Sequence, residues 1–226
     1  MMTIEDYILD HISPEGDYLH RLYRATNIHL LYGRMASGHL QGRLLKMIVE
    51  MTGARNILEV GTFSGYSARC LAEGLRENLR KDEGGDGTNG AADSTPRVIT
   101  YEIFDELEPF TRPWIEGSEV GHLIDFRIGD ALKEAPKLGI DFDLVFLDGD
   151  KRLYTEAYEM AMSITKPGGY ILADNTLWDG HVVEATETAD KQTLAIERFN
   201  DTVRDDKRVE VVILPLRDGL TLIKKK

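Results

Sequence analysis

The chain has 226 residues, 42% of them hydrophobic, enough to bury one sizeable core and too few for two large domains. Its 39 acidic against 27 basic side chains leave a formal net charge of −12, which argues against nucleic acid as a partner, because phosphate binding needs a basic surface. A single cysteine, Cys70, rules out a disulfide framework and a cysteine-rich zinc site. No run approaches the roughly eighteen apolar residues of a membrane span.

The first residues, MMTIEDYILDHISPEGD, are acidic and interrupted and do not read as a signal peptide, so a reducing cytoplasm with no membrane partner is expected. Thr3 is placed to cap a short helix containing Ile4, Ile8 and Leu9, and Ser13-Pro14-Glu15 reads as the start of a second, with proline in its first turn. A third helix is expected over Gly38–Met51, with Leu40, Leu44, Leu45, Ile48 and Val49 at helical spacing. Residues 1–55 hold six acidic and six basic side chains and four of the six histidines. The negative excess therefore lies wholly after them. This neutral segment reads either as a solvated helical face or as a lid over an acidic site.

From Asn56 short apolar runs alternate with amphipathic helices. Strands are expected at Ile57–Val60, Val98–Tyr101, Leu123–Ile128, Leu144–Leu147 and Tyr170–Ala173. Helices are expected at Tyr66–Arg80, at Glu106–Glu116 with interruptions near Pro109 and Pro113, around Ala131–Ala135, at Tyr154–Ile164 and at Thr193–Val203. Lys81–Pro96, rich in Gly, Asp, Asn and Ser, reads as a mobile surface loop without a catalytic role. The chain closes with Val209–Leu214 and Leu220–Ile223 around Arg217-Asp218-Gly219, a connection that makes antiparallel neighbours. The pattern implies an α/β, doubly wound, seven-stranded sheet with an antiparallel C-terminal hairpin. A plain dinucleotide fold has six parallel strands and no such hairpin. One domain is expected over 1–226: a helical cap at 1–52 and an α/β core at 53–226 carrying an insertion at 81–96.

Two strands end in LVFLDGDK and YILADN, gathering Asp148, Asp150, Lys151, Asp174 and Asn175 where open parallel sheets bind ligands. Oxygen donors there suit a hard divalent cation, Mg²⁺, Mn²⁺ or Ca²⁺, and Lys151 is a candidate base beside it. Helix capping by the aspartates and a surface ion pair for the lysine are the alternatives. Asn56–Ser67 reads NILEVGTFSGYS, a strand, a turn with Gly61 and Gly65, and a helix start suited to a carboxylate. The spacing is not G-x-G-x-x-G, which disfavours a dinucleotide. Glu59 is placed to hold an ammonium group and Glu102 to hold ribose hydroxyls. An ammonium, a carboxylate, a ribose and no phosphate describe S-adenosylmethionine.

LEVGTFSGYS, YE at 101–102, GDA at 129–131, FDLVFLDGDKRLY, GGYILADNTLWDG and LPLRDGLTL together resemble the cation-dependent small-molecule O-methyltransferases. That family includes catechol and caffeoyl-CoA O-methyltransferases and many bacterial relatives, and the resemblance runs from about Met35 to the C-terminus. It implies a class I methyltransferase, Rossmann-like fold. By position it implies that Ser37 lies against the cofactor with Met35 nearby. Glu59, Gly61, Thr62 and Ser67 would surround its methionine part, Glu102 its ribose, and Ala131 with Asp130 its adenine, with Asp150 also in contact. The resemblance further implies Asp148, Asp174 and Asn175 as metal ligands, Lys151 as the catalytic lysine, and a homodimer. Asp179, after Trp178, departs from the asparagine that plant caffeoyl-CoA enzymes use on substrate, and His181–Asp190 has its own composition.

The expected reaction is transfer of a methyl group from S-adenosylmethionine to a hydroxyl of a small aromatic vicinal diol, a catechol. Chelation would stabilise the phenolate, and Lys151, its pKa lowered by cation and burial, would take the proton. Trp178 reads as a wall of the substrate pocket or as core packing. The histidines lack metal-ligand spacing, and Cys70 reads as a buried small residue. Two other readings are a cofactor-binding protein without turnover and a nicotinamide oxidoreductase. Retention of Asp148, Lys151, Asp174 and Asn175 speaks against the first, and the glycine spacing and terminal hairpin against the second.

Overall fold

A computed structural model describes residues 2–83, 95–184 and 190–226. Helices α1 (Ile4–His11), α2 (Asp17–His29) and α3 (Gly38–Thr52) precede the sheet. Thr3 caps α1 with a reciprocal box to Asp6, as expected. The second helix corrects the expectation: it starts at Asp17 behind Gly16 (φ 89°), not at Ser13-Pro14. His39 Nε2 bonds to the Ser13 carbonyl at 2.7 Å, and the Arg43 guanidinium donates to the Pro14 carbonyl. These tertiary bonds hold the Ser13-Pro14 segment outside the helix.

Strands and helices then alternate: β1 (Asn56–Val60), α4 (Tyr66–Glu83), β2 (Arg97–Glu102), α5 (Glu108–Glu116), β3 (Ile124–Ile128), α6 (Ala131–Glu134), β4 (Phe142–Leu147), α7 (Tyr154–Ile164), β5 (Thr165–Asp174), α8 (Lys191–Asp205), β6 (Val209–Leu214) and β7 (Leu220–Lys225). Helix α4 takes in Lys81–Glu83, which were expected in the loop; residues 84–94 of that loop lie outside the described residues, as do 185–189 of the segment His181–Asp190. Pro109 sits in the first turn of α5, where its missing N–H costs nothing, and Pro113 lies inside the helix. Strand β5 begins at Thr165, five residues before the expected Tyr170, across an irregular register opposite Phe142–Leu144.

The sheet order is β3-β2-β1-β4-β5-β7-β6, with β5–β7 and β6–β7 antiparallel and the other pairs parallel. The expected seven strands and terminal hairpin are present. Because β1 leads to β2 on one side while β4 lies on the other, the crevice opens between β1 and β4. The central strands are apolar and buried on both faces, as parallel strands covered by helices must be. One core layer gathers Leu58, Phe142, Tyr158 and Phe199, and the other Leu45, Ile57, Leu75 and Phe146.

Val60 pairs with Tyr101 and Leu147, and Leu147 with Ala173. The following residues, Glu102, Gly61, Asp148 and Asp174, therefore stand in one row across four strands. Three strand spacings of about 4.8 Å make that row roughly 14 Å long, about the length of an extended small ligand. Gly61 is its tightest point: its φ is 99°, and a Cβ there would lie 2.3 Å from the Asp148 carbonyl oxygen. Gly61→Ala is expected to lower stability by about 1–3 kcal/mol in urea unfolding. An unchanged midpoint would contradict this close packing.

Candidate active site

The turn after β1 shapes one half of the site. Gly61 N–H donates to the Tyr101 carbonyl (2.9 Å) and Gly65 N–H to the Thr62 carbonyl (2.9 Å), while Phe63 takes a left-handed φ of 48°. Glu102, at the end of β2, accepts from the amides of Phe63 (2.8 Å) and Phe104 (3.1 Å) and is thereby aimed at the turn. Glu59 is wholly buried in β1 and accepts from Thr100 Oγ1 at 2.5 Å, and Thr100 Oγ1 also meets Thr62 Oγ1 at 2.6 Å. Its Oε1 has no hydrogen-bond partner. Burial pushes the Glu59 carboxyl up to about 8, against the neighbouring Ser67 and Thr100 hydroxyls, which favour its charge. A buried, unpartnered carboxylate oxygen is what a ligand ammonium would complete.

The other half lies at β4 and β5. Asp148 N–H donates to the Val60 carbonyl at 2.9 Å, anchoring the β4 turn to β1. The Asp148 carboxylate caps no helix; it accepts from Lys151 Nζ at 2.9 Å. Lys151 is buried and also donates to Tyr154 Oη at 2.6 Å, and that hydroxyl reaches the carbonyls of Asp174 (2.8 Å) and Leu147 (3.1 Å). Asp174 is the last residue of β5, 3% exposed; its carboxylate accepts from Gln41 Nε2 (2.7 Å) and from the Asn175 amide (2.9 Å). Asn175 follows at φ 57° with Nδ2 3.4 Å from Asp218 Oδ2.

The electrostatics of this half are those of two carboxylates sharing one cation. Desolvation pushes the Asp148 carboxyl up to about 6; Lys151 pulls it down, and Asp174 pushes it further up. Burial opposes the charge on Lys151, but Asp148, Tyr154 and Asp174 outweigh it and hold the ammonium above its ordinary value. Burial does lower the lysine, as expected, but with no cation beside them the carboxylates outweigh it, and Lys151 stands as their ion-pair partner.

Asp148, Lys151 and Asp174 come together, and Asn175 follows Asp174 with its side chain toward Asp218; several other expected residues turn to their own neighbours. Asp130 caps α6 through the Leu132 amide (3.1 Å) and pairs with Lys133 (2.8 Å), which hold its carboxyl below the usual range. Asp150 caps the next turn through the Arg152 amide (3.0 Å) and pairs with the Arg152 guanidinium, with its pKa likewise lowered. Ala131 is buried at the start of α6, Ser37 is buried at the start of α3, and Met35 beside it is 56% exposed. Trp178 is half-buried and Asp179 exposed, both in left-handed backbone; the Asp179 amide donates to Asp218 Oδ1. His181 bonds to Glu184 at 2.7 Å, and Cys70 is buried with its thiol pKa raised by burial.

Sequence reasoning missed Gln41, Tyr154, Arg217 and Asp218. Gln41 lies on the stripe of Leu45 and Ile48, so a polar residue in an apolar face was its signal. Tyr154 stands three residues after Lys151 at a helix start, within reach on one face. Arg217 and Asp218 occupy a tight turn with no local feature that aims them at β5.

A metal could be held here by two carboxylates and one amide oxygen. Among the described residues no group of three or more His, Cys, Asp or Glu has metal-binding geometry. The donor set of Asp148, Asp174 and the Asn175 amide is hard oxygen chemistry, and the mutual repulsion of its carboxylates is what a divalent cation relieves. The residues present fit such an ion.

Fold and site together define a methyltransferase-type α/β enzyme, and comparison with known proteins agrees. A family model described as O-methyltransferase matches residues 10–226. Caffeoyl-CoA O-methyltransferase 2 of Zea mays is 32% identical over 232 residues, covering 97% of this chain and 81% of that protein. The crystal structure of an O-methyltransferase from Bacillus cereus in complex with SAH is 27% identical, with a TM-score of 0.82, covering 99% of this chain and 97% of that one. The O-methyltransferase TomG from Streptomyces achromogenes, in complex with SAM, is 25% identical with a TM-score of 0.81, covering 97% and 94%. The chain belongs to the O-methyltransferase family. The expected enzyme class, an S-adenosylmethionine-dependent O-methyltransferase, holds.

Glu59 makes a stability prediction. An unfolded glutamate ionises near 4.5, whereas the folded one keeps its proton to about 8. Between those values the folded state binds more protons than the unfolded one, so stability falls as pH rises. The ligand-free chain should therefore lose more melting temperature between pH 5 and pH 8 than its Glu59→Gln variant. Parallel curves for the two proteins would show that Glu59 is already ionised in the folded chain.

Proposed function

We propose that this chain transfers the methyl group of S-adenosylmethionine to one hydroxyl of a small vicinal diphenol, with a divalent cation held by Asp148, Asp174 and Asn175. The observation that supports this reading is the row Glu102–Gly61–Asp148–Asp174, which puts the glycine turn and Glu102 next to Asp148, Lys151 and Asp174. In the pocket, Glu59 Oε1 accepts from the donor's ammonium and Glu102 from its ribose hydroxyls, with Ser37, Thr62, Ser67 and Ala131 lining it and Asp130 and Asp150 at its rim.

When bound, the cation supplies Lewis acidity that stabilises the phenolate and compensates the carboxylate charge that otherwise keeps Lys151 protonated. With that charge compensated, Lys151 would release its own proton to solvent, and its neutral Nζ, held beside Tyr154 Oη, would then take the phenolic proton. The phenolate oxygen forms its bond to the methyl carbon as the carbon–sulfur bond breaks and its electron pair goes to sulfur. Donor and diol gain chiefly from alignment, because the sulfonium is already a good leaving group. Trp178 offers an aromatic wall to the ring. Asp179 and Asp218 beside Asn175 place negative charge at the substrate side, which favours neutral or cationic diols over polyanionic coenzyme A esters.

A methyl-transfer assay on a panel of catechols and one catecholic coenzyme A ester tests this. Transfer to free catechols with Mg²⁺, Mn²⁺ or Ca²⁺, abolished by chelator, is expected; no transfer to any vicinal diol would contradict it. Lys151→Ala should lower kcat by about 10²–10⁴-fold and leave S-adenosylhomocysteine affinity within about threefold. A large loss of donor affinity in that variant would instead make Lys151 a donor-pocket residue.

A further inference from the structure

Arg217, in the turn between β6 and β7, belongs to none of the roles assigned above, yet its guanidinium serves four acceptors. Nη2 donates to the Arg34 carbonyl (3.1 Å); Nη1 donates to the carbonyls of Ala36 (3.1 Å) and Ser37 and to Gln41 Oε1 (3.1 Å). Gln41 is 1% exposed, and its Nε2 donates onward to Asp174 Oδ2 at 2.7 Å. A guanidinium only donates and a carboxylate only accepts, so one orientation of the Gln41 amide satisfies both. With the Asn175 amide on Oδ1, both oxygens of Asp174 are oriented.

The backbone of Arg217 sharpens the point. Its φ is 49°, in the left-handed region that glycine adopts freely and arginine does not. A turn selected for its own comfort would use glycine here. The side chain holds something worth that strain, and what it holds is the stretch Arg34–Ser37 on the donor side and, through Gln41, a carboxylate on the cation side.

We propose that Arg217 and Gln41 are positioning residues: they fix Asp174 in its cation-binding orientation and clamp the donor-side segment Arg34–Ser37 to the same relay. This rests on the cation reading given above.

The test uses the full chain without substrate. Mn²⁺ binding is followed by the spin-resonance signal of the free ion, S-adenosylhomocysteine binding by calorimetry, and folding by thermal denaturation. Arg217→Gly removes the clamp while relieving the backbone, and Gln41→Met removes only the relay. Arg217→Gly is expected to weaken Mn²⁺ about tenfold, the scale of a lost bond behind a metal ligand, and S-adenosylhomocysteine severalfold, with Tm unchanged or higher. Gln41→Met should weaken Mn²⁺ by a similar factor and leave S-adenosylhomocysteine within about twofold, and the double variant should bind Mn²⁺ no worse than the weaker single variant. If Arg217→Gly lowers Tm, the Gln41→Met result decides. Wild-type binding of Mn²⁺ with both variants within about twofold of it would overturn the relay alone. A wild-type chain that takes up no Mn²⁺, Mg²⁺ or Ca²⁺ would overturn the cation reading and the relay with it.

Discussion

Two strand ends touch at Gly61 with no side chain between them, and the arrangement of the site follows from that contact. A Cβ at Gly61 would lie 2.3 Å from the Asp148 carbonyl oxygen, while the Asp148 amide donates to the Val60 carbonyl at 2.9 Å. The turn that shapes the donor pocket and the turn that carries the first acidic side chain are thus one packed unit. The two turns are coupled through backbone contacts, so under the proposed function the distance between donor and acceptor would be set by backbone rather than by flexible side chains. Transfer between two bound groups depends on such alignment.

Charge is arranged along this unit so that each half holds more buried carboxyl groups than cations. Glu59 is buried with one oxygen unpartnered and its carboxyl pushed up to about 8. Asp148 and Asp174 repel each other across the second half, with Lys151 as the counter-charge between Asp148 and Tyr154. Buried carboxylates are costly unless something compensates them, and the two halves invite different compensation: an ammonium and sulfonium ligand in one, a hard divalent ion in the other. The same electrostatics bear on the proposal that Lys151 acts as a base, since its proton is held by carboxylates that a cation would engage.

Much of this was legible in the sequence because the fold writes itself in local terms. Buried parallel strands are continuous apolar runs, so LVFL and YILA mark β4 and β5, and their ends locate Asp148, Lys151, Asp174 and Asn175. The terminal hairpin follows from the short connection between its strands. What was not legible depends on contacts between distant segments. Ser13-Pro14-Glu15 has the composition of a helix start, yet bonds from His39 and Arg43 keep it out of α2. Gln41 and Arg217 are 176 positions apart and meet only in the folded chain. The high affinity of Lys151 for its proton was likewise hidden, because it arises from Tyr154 and Asp174 as well as the neighbouring Asp148.

The central claim, that this site ionises a vicinal diphenol between a cation and Lys151, is tested most directly by spectroscopy of a bound nitro-substituted catechol, whose neutral and ionised forms absorb at different wavelengths. Mixed with the enzyme, Mg²⁺ and S-adenosylhomocysteine at a pH below its own first ionisation, the ligand should show the ionised band, and chelator should return it to the neutral one. A bound ligand that keeps its neutral spectrum with Mg²⁺ present would contradict the account.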